Sequence, residues 1–245
     1  MVDYRRRQPS KPREVGRWSG WASEAKRCPL SERRSVTREN LVFLLGDSII
    51  DNAGYVRPGE PDVARQLESL LPHHIVVKRA VDGATSGDVL ARQIAEVERA
   101  EHIVLSAGGN DALAHIDLLE NPLQRCAKDV LVGLWFIREE FRRSYAALLA
   151  RLALTRRPVL VLTVYNPCFH AHGFDAGYQQ AAETGMSIIN DVVQQEARHR
   201  LFDILELRTL FNDPADYVNP IEPSAIGGAK LANSMSDWVS ERLQS

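Results

Sequence analysis

After residue 39 the hydrophobic positions fall into two alternating patterns. Short runs rich in Val, Ile and Leu occupy residues 41–45, 75–81, 102–107, 159–164 and 201–205. Most lack a regular polar alternation, as strands covered on both faces do. Between them, residues 61–71, 86–100, 129–154 and 176–199 place apolar side chains at helical spacing, and a final helix is expected over 224–243. Strands alternating with helices predict stacked βα units, an α/β fold of three α/β/α layers around a flavodoxin-like parallel sheet of about five strands. In such sheets, sites form beyond the carboxyl ends of the strands. Polar turns stand at those ends: Gly46-Asp47-Ser48 after the first strand, residues 82–88 (DGATSGD) after the second, 107–111 (AGGND) after the third and 165–173 (YNPCFHAHG) after the fourth.

Composition changes the picture mainly at the N-terminus. The chain has 245 residues and 44% hydrophobic content, enough for one core. The first 38 residues carry eleven Lys and Arg against four Asp and Glu, a net +7, whereas the rest carries −9. Residues 1–38 therefore read as a basic, disordered extension and residues 39–245 as the folded domain. Trp18 and Trp21 lie among the arginines. The extension is taken as solvated rather than as a nucleic-acid arm, and no nucleic-acid partner is expected. No apolar run reaches the roughly 18 residues of a membrane span, and the first 30 lack the apolar stretch of a secretory signal, so the expected location is cytoplasmic. Cys28, Cys126 and Cys168 show no paired spacing, which indicates neither a disulfide framework nor a zinc pattern. No cofactor and no metal are expected. The absence of a Walker lysine motif or a GxGxxG turn argues against a nucleotide or phosphate binder.

Each turn motif has a plain structural explanation. The Asp47 carboxylate suits a turn cap, Gly83 can close a strand, and Asn110 and Asp111 can start a helix. Their order along successive strands is more informative, because it brings a hydroxyl, a backbone N–H and a side-chain amide to one rim. Acyl transfer needs that set: a serine oxygen attacks a carbonyl, and donors already in place receive the oxyanion. On Gly46-Asp47-Ser48, Gly83 and Gly108-Gly109-Asn110-Asp111, the chain resembles the SGNH hydrolase superfamily, also called the GDSL esterase/lipase family. The resemblance implies the SGNH hydrolase fold, Ser48 as nucleophile, an oxyanion hole from Ser48, Gly83 and Asn110, no metal, and hydrolysis of an ester or related acyl bond. The expected partner is then a small-molecule ester or acylated compound.

The last block of that family normally reads Asp-x-x-His-Pro-Ser, and here it reads Asn219-Pro220-Ile221-Glu222-Pro223-Ser224. Glu222 stands at the histidine position and Asn219 at that of the orienting aspartate. An Asn/Glu pair keeps one negative charge but reverses the hydrogen bond, so the Asn219 amide is expected to donate to the Glu222 carboxylate. An ordinary glutamate is a weak base for a serine, a helix N-terminus weakens it further, and desolvation strengthens it. The order of candidates for the base is Glu222, then His172 or His170 in the loop after the fourth strand, then no competent base, with His115 five residues after Asn110 also weighed. His73, His74 and His199 read as structural or solvated. Asp51, Asn52 and the 165–167 segment are pocket candidates, and Trp135, Phe136, Phe141 and Tyr145 read mostly as core. The alternative function is a catalytically inactive protein of the same fold that binds an acylated or carbohydrate ligand.

Overall fold

The computed structural model describes residues 40–117 and 126–242. The expectation for residues 1–38 therefore lies outside the described residues. Five strands, β1 (Leu41–Leu45), β2 (Ile75–Lys78), β3 (His102–Ser106), β4 (Val159–Leu162) and β5 (Asp203–Leu205), pair in parallel in the order β2-β1-β3-β4-β5. Among the described residues, seven α-helical segments follow in chain order: α1 (Val63–Leu70), α2 (Ser86–Asp88), α3 (Gly109–Leu113), α4 (Ala127–Ala153), α5 (Ala176–His199), α6 (Leu207–Leu210) and α7 (Ala225–Arg242). α1 packs on α7, and α4 packs on α5. These helices flank the sheet in the three-layer, flavodoxin-like arrangement expected of the SGNH hydrolase fold.

Burial follows position in the sheet. β1, β3 and β4 are buried along their whole length, whereas the edge strand β2 is exposed at both ends and β5 is half-buried. Phe43, Leu44, Ile103, Leu105, Leu148 and Leu162 are among the fully buried side chains that bind sheet to helices, each worth roughly 1.5–3 kcal/mol of apolar burial. Of the aromatic residues expected in the core, Phe141 and Tyr145 are buried, but Trp135 and Phe136 are 54% and 61% exposed and meet edge to face.

β2 and β4 end earlier than expected, at Lys78 and Leu162, and two further departures have a visible local cause. The strand expected from residue 201 starts at Asp203, because Leu201 takes a left-handed turn (φ 58) and is exposed. The helix expected over 86–100 is broken into α2, a π-helical turn at Val89–Gln93 and a 3-10 turn at Val97–Arg99. The wide turn brings Gln93 inward, and this polar residue is 3% exposed. Its carboxamide brackets one residue: the Gly46 N–H donates to Oε1 at 2.7 Å, and Nε2 donates to the Gly46 carbonyl at 2.8 Å. Buried amide groups require such pairing. Among the described residues, no helix is long and apolar enough to cross a membrane.

Candidate active site

At the end of β1 the chain turns sharply past β3. Gly46 has φ +136, and a Cβ added there would lie 2.0 Å from the Ser106 carbonyl oxygen, so the turn admits only glycine. Asp47, 1% exposed, accepts from the Ser106 hydroxyl at 2.8 Å and from the Ile49 N–H at 3.2 Å through Oδ1. Its carbonyl takes the Ile50 and Asp51 N–H groups at 3.1 and 2.9 Å. Burial pushes the Asp47 carboxyl up to about 7, against the lowering effect of the Ser106 and Ile49 bonds. Between these fixed neighbours Ser48 is 8% exposed, and no acceptor among the described residues takes its backbone N–H.

The loops after β2 and β3 are tied together. The Asp111 carboxylate accepts the Ser86 N–H at 2.9 Å and the Ser86 hydroxyl at 2.6 Å, and that hydroxyl also meets Ser144 Oγ at 2.6 Å. Asn110 Nδ2 donates to the Ala84 carbonyl at 3.2 Å, leaving its second amide hydrogen without a protein acceptor among the described residues. The adjoining Gly83 is exposed, and its N–H is likewise untaken.

The segment before α7 holds Glu222. Asn219 Oδ1 accepts the N–H groups of Ile221 and Glu222, both at 3.0 Å. This corrects the expectation that the Asn219 amide donates to the Glu222 carboxylate: the side chain shapes the turn through its oxygen, as asparagine does in loops. The segment is also held from outside, since Tyr165 Oη donates to the Ile221 carbonyl at 2.7 Å, Cys168 N–H to the Pro220 carbonyl at 2.7 Å, and Asn52 Nδ2 to the Pro223 carbonyl at 3.2 Å. Gly227 is required at the start of α7, where an added Cβ would lie 2.3 Å from the Asp216 carbonyl oxygen. Glu222 is 6% exposed, and its Oε2 is buried without a hydrogen-bond partner. Burial pushes its carboxyl up to about 7, a hydrogen bond from the Ser48 side chain opposes this, and the charges of Asp82 and Asp47 add to it.

Ser48, Asn110 and Glu222 share the wall of a cavity of about 450 Å³ with Asp47, Gly109 and His115. Much of the remaining wall is apolar and comes from α4, α5 and the end of β4, including Leu134, Ile137, Val164, Met186 and Ile189. Tyr165 and Pro167 also line it, as the sequence suggested for that segment. Gly83 is outside the wall, one residue from the Ala84 carbonyl that holds Asn110. His170 and His172 are exposed and do not line the cavity. Asp51 and Asn52 do not line it either: Asp51 pairs with Lys78, and the fully buried Asn52 joins the Ser48 turn to the Glu222 segment. Sequence reasoning missed Gln93, Ser106 and the bracing role of Asn52. Their only signal was a polar residue inside or beside an apolar run.

The sequence profile of the GDSL-like Lipase/Acylhydrolase family matches residues 44–227. No curated protein matches the chain in sequence. Among solved structures, the lipase Lip_vut3 from a goat rumen metagenome aligns with TM-score 0.62 and 18% identity over 80% of this chain and 95% of its own. An extracellular lipase from Streptomyces rimosus aligns with TM-score 0.57 and 21% identity over 80% and 99%. The psychrotrophic esterase EstA from Pseudoalteromonas sp. aligns with TM-score 0.57 and 14% identity over 84% and 100%. At these identities the structural likeness speaks for the fold.

Proposed function

Because the chain belongs to the GDSL-like Lipase/Acylhydrolase family, we propose that it hydrolyses carboxylic esters with an apolar acyl group through a Ser48 acyl-enzyme, with Glu222 as the base. The observation that carries this reading is the buried Glu222 carboxyl beside Ser48 on the wall of one largely apolar cavity. Desolvation raises the basicity of Glu222 to near neutrality, where a general base works best.

The ionised Glu222 takes the hydroxyl proton as Ser48 Oγ bonds to the substrate carbonyl carbon. The carbonyl oxygen becomes an oxyanion and is met by the Ser48 N–H and the free hydrogen of the Asn110 amide, both on the cavity wall, and by the Gly83 N–H from the loop just beyond it. Collapse breaks the ester C–O bond, and protonated Glu222 returns its proton to the departing alkoxide. Water then enters by the same route, Glu222 taking its proton and Ser48 leaving as the hydroxyl. The turn that Asn219 forms fixes the backbone of Glu222, so the carboxyl is positioned by the main chain rather than by a side-chain partner.

A fluorophosphonate probe should label Ser48, as read by mass spectrometry of the modified peptide. Hydrolysis of p-nitrophenyl esters should be abolished in Ser48→Ala, severely reduced in Glu222→Gln and little changed in His170→Ala/His172→Ala. Equal rates in wild type, Ser48→Ala and Glu222→Gln would remove both residues from the reaction, as the inactive binding reading requires.

A further inference from the structure

The opposite edge of the sheet carries a second cluster that ester hydrolysis does not use. His74 immediately precedes β2, while Glu101 and His102 stand at the start of β3, so all three lie at the amino ends of strands flanking β1. Strands of about five residues at roughly 3.3 Å per residue separate this edge from Ser48 by about 16 Å.

The cluster is buried at His102 and half-buried at His74 and Glu101, and several of its polar atoms are buried and unsatisfied. The His74 side chain is 6% exposed and His102 is 3% exposed. Nδ1 and Nε2 of His74, Nδ1 of His102 and Oε2 of Glu101 are all buried without a hydrogen-bond partner. Four orphaned polar atoms in one place are costly unless something else engages them. One ligand atom from each residue lies within 4.8 Å of the others, and His74 Nε2 to Glu101 Oε2 is 3.8 Å. That last separation is too long for a hydrogen bond. It suits two atoms that each sit about 2.0–2.2 Å from a shared ion.

The backbone around the cluster is already fixed. The His74 N–H donates to the Leu71 carbonyl at 3.0 Å, the Glu101 N–H to the Leu41 carbonyl at 2.8 Å, and Asn40 Nδ2 to the His73 carbonyl at 2.9 Å. Trp238 stands edge-on to the His102 ring at 5.4 Å between centroids. Arg242, whose charge acts on His102, is paired with Asp203, which reduces its repulsion toward a bound cation. A small cleft lined by Asn40, Leu71, His73, His74 and Ser240 reaches His74 from solvent and offers an entry path.

We propose that His74, Glu101 and His102 form a binding site for a single zinc ion that ties together the amino ends of β2 and β3 across β1. Two imidazoles and one carboxylate make a donor set that suits zinc and disfavours magnesium or calcium, which take oxygen ligands. Closing 4.8 Å to the roughly 3.3 Å between ligand atoms of a tetrahedral ion needs only small rotations of these side chains. The fourth position is left to water, and its distance from Ser48 makes the ion a fastener of the fold rather than part of ester cleavage.

The test is calorimetric titration of zinc into the full chain after treatment with a chelator, with thermal denaturation alongside. Wild type should bind one zinc per chain at this site and gain about 5 °C or more in Tm at saturating zinc, with no gain from magnesium. Glu101→Gln and His74→Gln, which preserve side-chain volume better than alanine, should fold, lose that binding and lose the gain in Tm. His170→Ala/His172→Ala should retain both. No saturable binding in wild type, or binding and stabilisation that persist in Glu101→Gln and His74→Gln, overturns the proposal. Loss of binding in the loop-histidine variant alone would also overturn it, by locating the ion elsewhere.

Discussion

Asn52 Nδ2 donates to the carbonyl of Pro223 at 3.2 Å across 171 positions of sequence, while Asn52 Oδ1 accepts the Val63 N–H at 2.9 Å. One fully buried amide thus fixes the distance between the turn that carries Ser48 and the segment that carries Glu222. Replacing it with alanine removes two buried hydrogen bonds and leaves their partners unpaired. Asn52→Ala should lose about 2–4 kcal/mol of stability, measured by urea denaturation. Its ester hydrolysis should show a larger fall in kcat than rise in KM, because the proposed base, Glu222, rather than the binding cavity is displaced.

Glu222→Gln should lower kcat by about 10²–10⁴. With Glu222 near 7, the wild-type rate should fall about tenfold per pH unit below that value and level off above it. Asp47 is also pushed up to about 7, so the limb needs an assignment. Asp47→Asn keeps the acceptor used by Ser106 and Ile49 and should retain the acid limb. Loss of the limb in that variant would move it from Glu222 to Asp47.

The same burial affects folding. A carboxyl at about 7 in the fold and near 4.5 when unfolded makes a stabilising contribution that is complete below about 4.5 and lost as pH rises to 7. Between those values the folded protein holds a proton that the unfolded chain has released. Glu222→Gln removes this dependence. It should be more stable than wild type at pH 8, by about 3 kcal/mol, with the advantage gone at pH 4.5, as read from denaturation midpoints at the two pH values.

Gly46→Ala places a methyl group 2.0 Å from the Ser106 carbonyl in a turn braced on its other side by Gln93. Neither neighbour can retreat without breaking β3 or the buried amide pair. The expected cost exceeds about 3 kcal/mol, visible as a large fall in Tm or as insoluble protein on expression.

Gly185 lines the cavity on α5, and an added Cβ there meets nothing within 4 Å. Gly185→Leu should fold and partly fill the space. Hydrolysis of p-nitrophenyl octanoate should drop by about tenfold in kcat/KM, while that of the acetate stays near wild type. An equal loss on both esters would place the acyl group elsewhere.

Much of the fold was legible because buried strands and amphipathic helices have periods that survive in sequence. α5 matches the expected 176–199, and β1 matches 41–45. The broken 86–100 segment was not legible, since what interrupts it is the pairing of Gln93 with Gly46, 47 positions away. The same holds at the site. Ser48, Asn110 and Glu222 follow local motifs and meet on one cavity wall, but the role of the Asn219 oxygen depends on backbone geometry that no pairwise charge argument contains. His74 read as structural or solvated because its association with His102 is created by parallel strands, not by spacing along the chain.

Asn219 engages its turn only through Oδ1, an atom that asparagine and aspartate have in common. Exchange of one for the other preserves the local acceptor and leaves the backbone of residue 222 in place. The turn is therefore built without help from the side chain at 222, and what that position presents to the cavity is independent of what holds it in place.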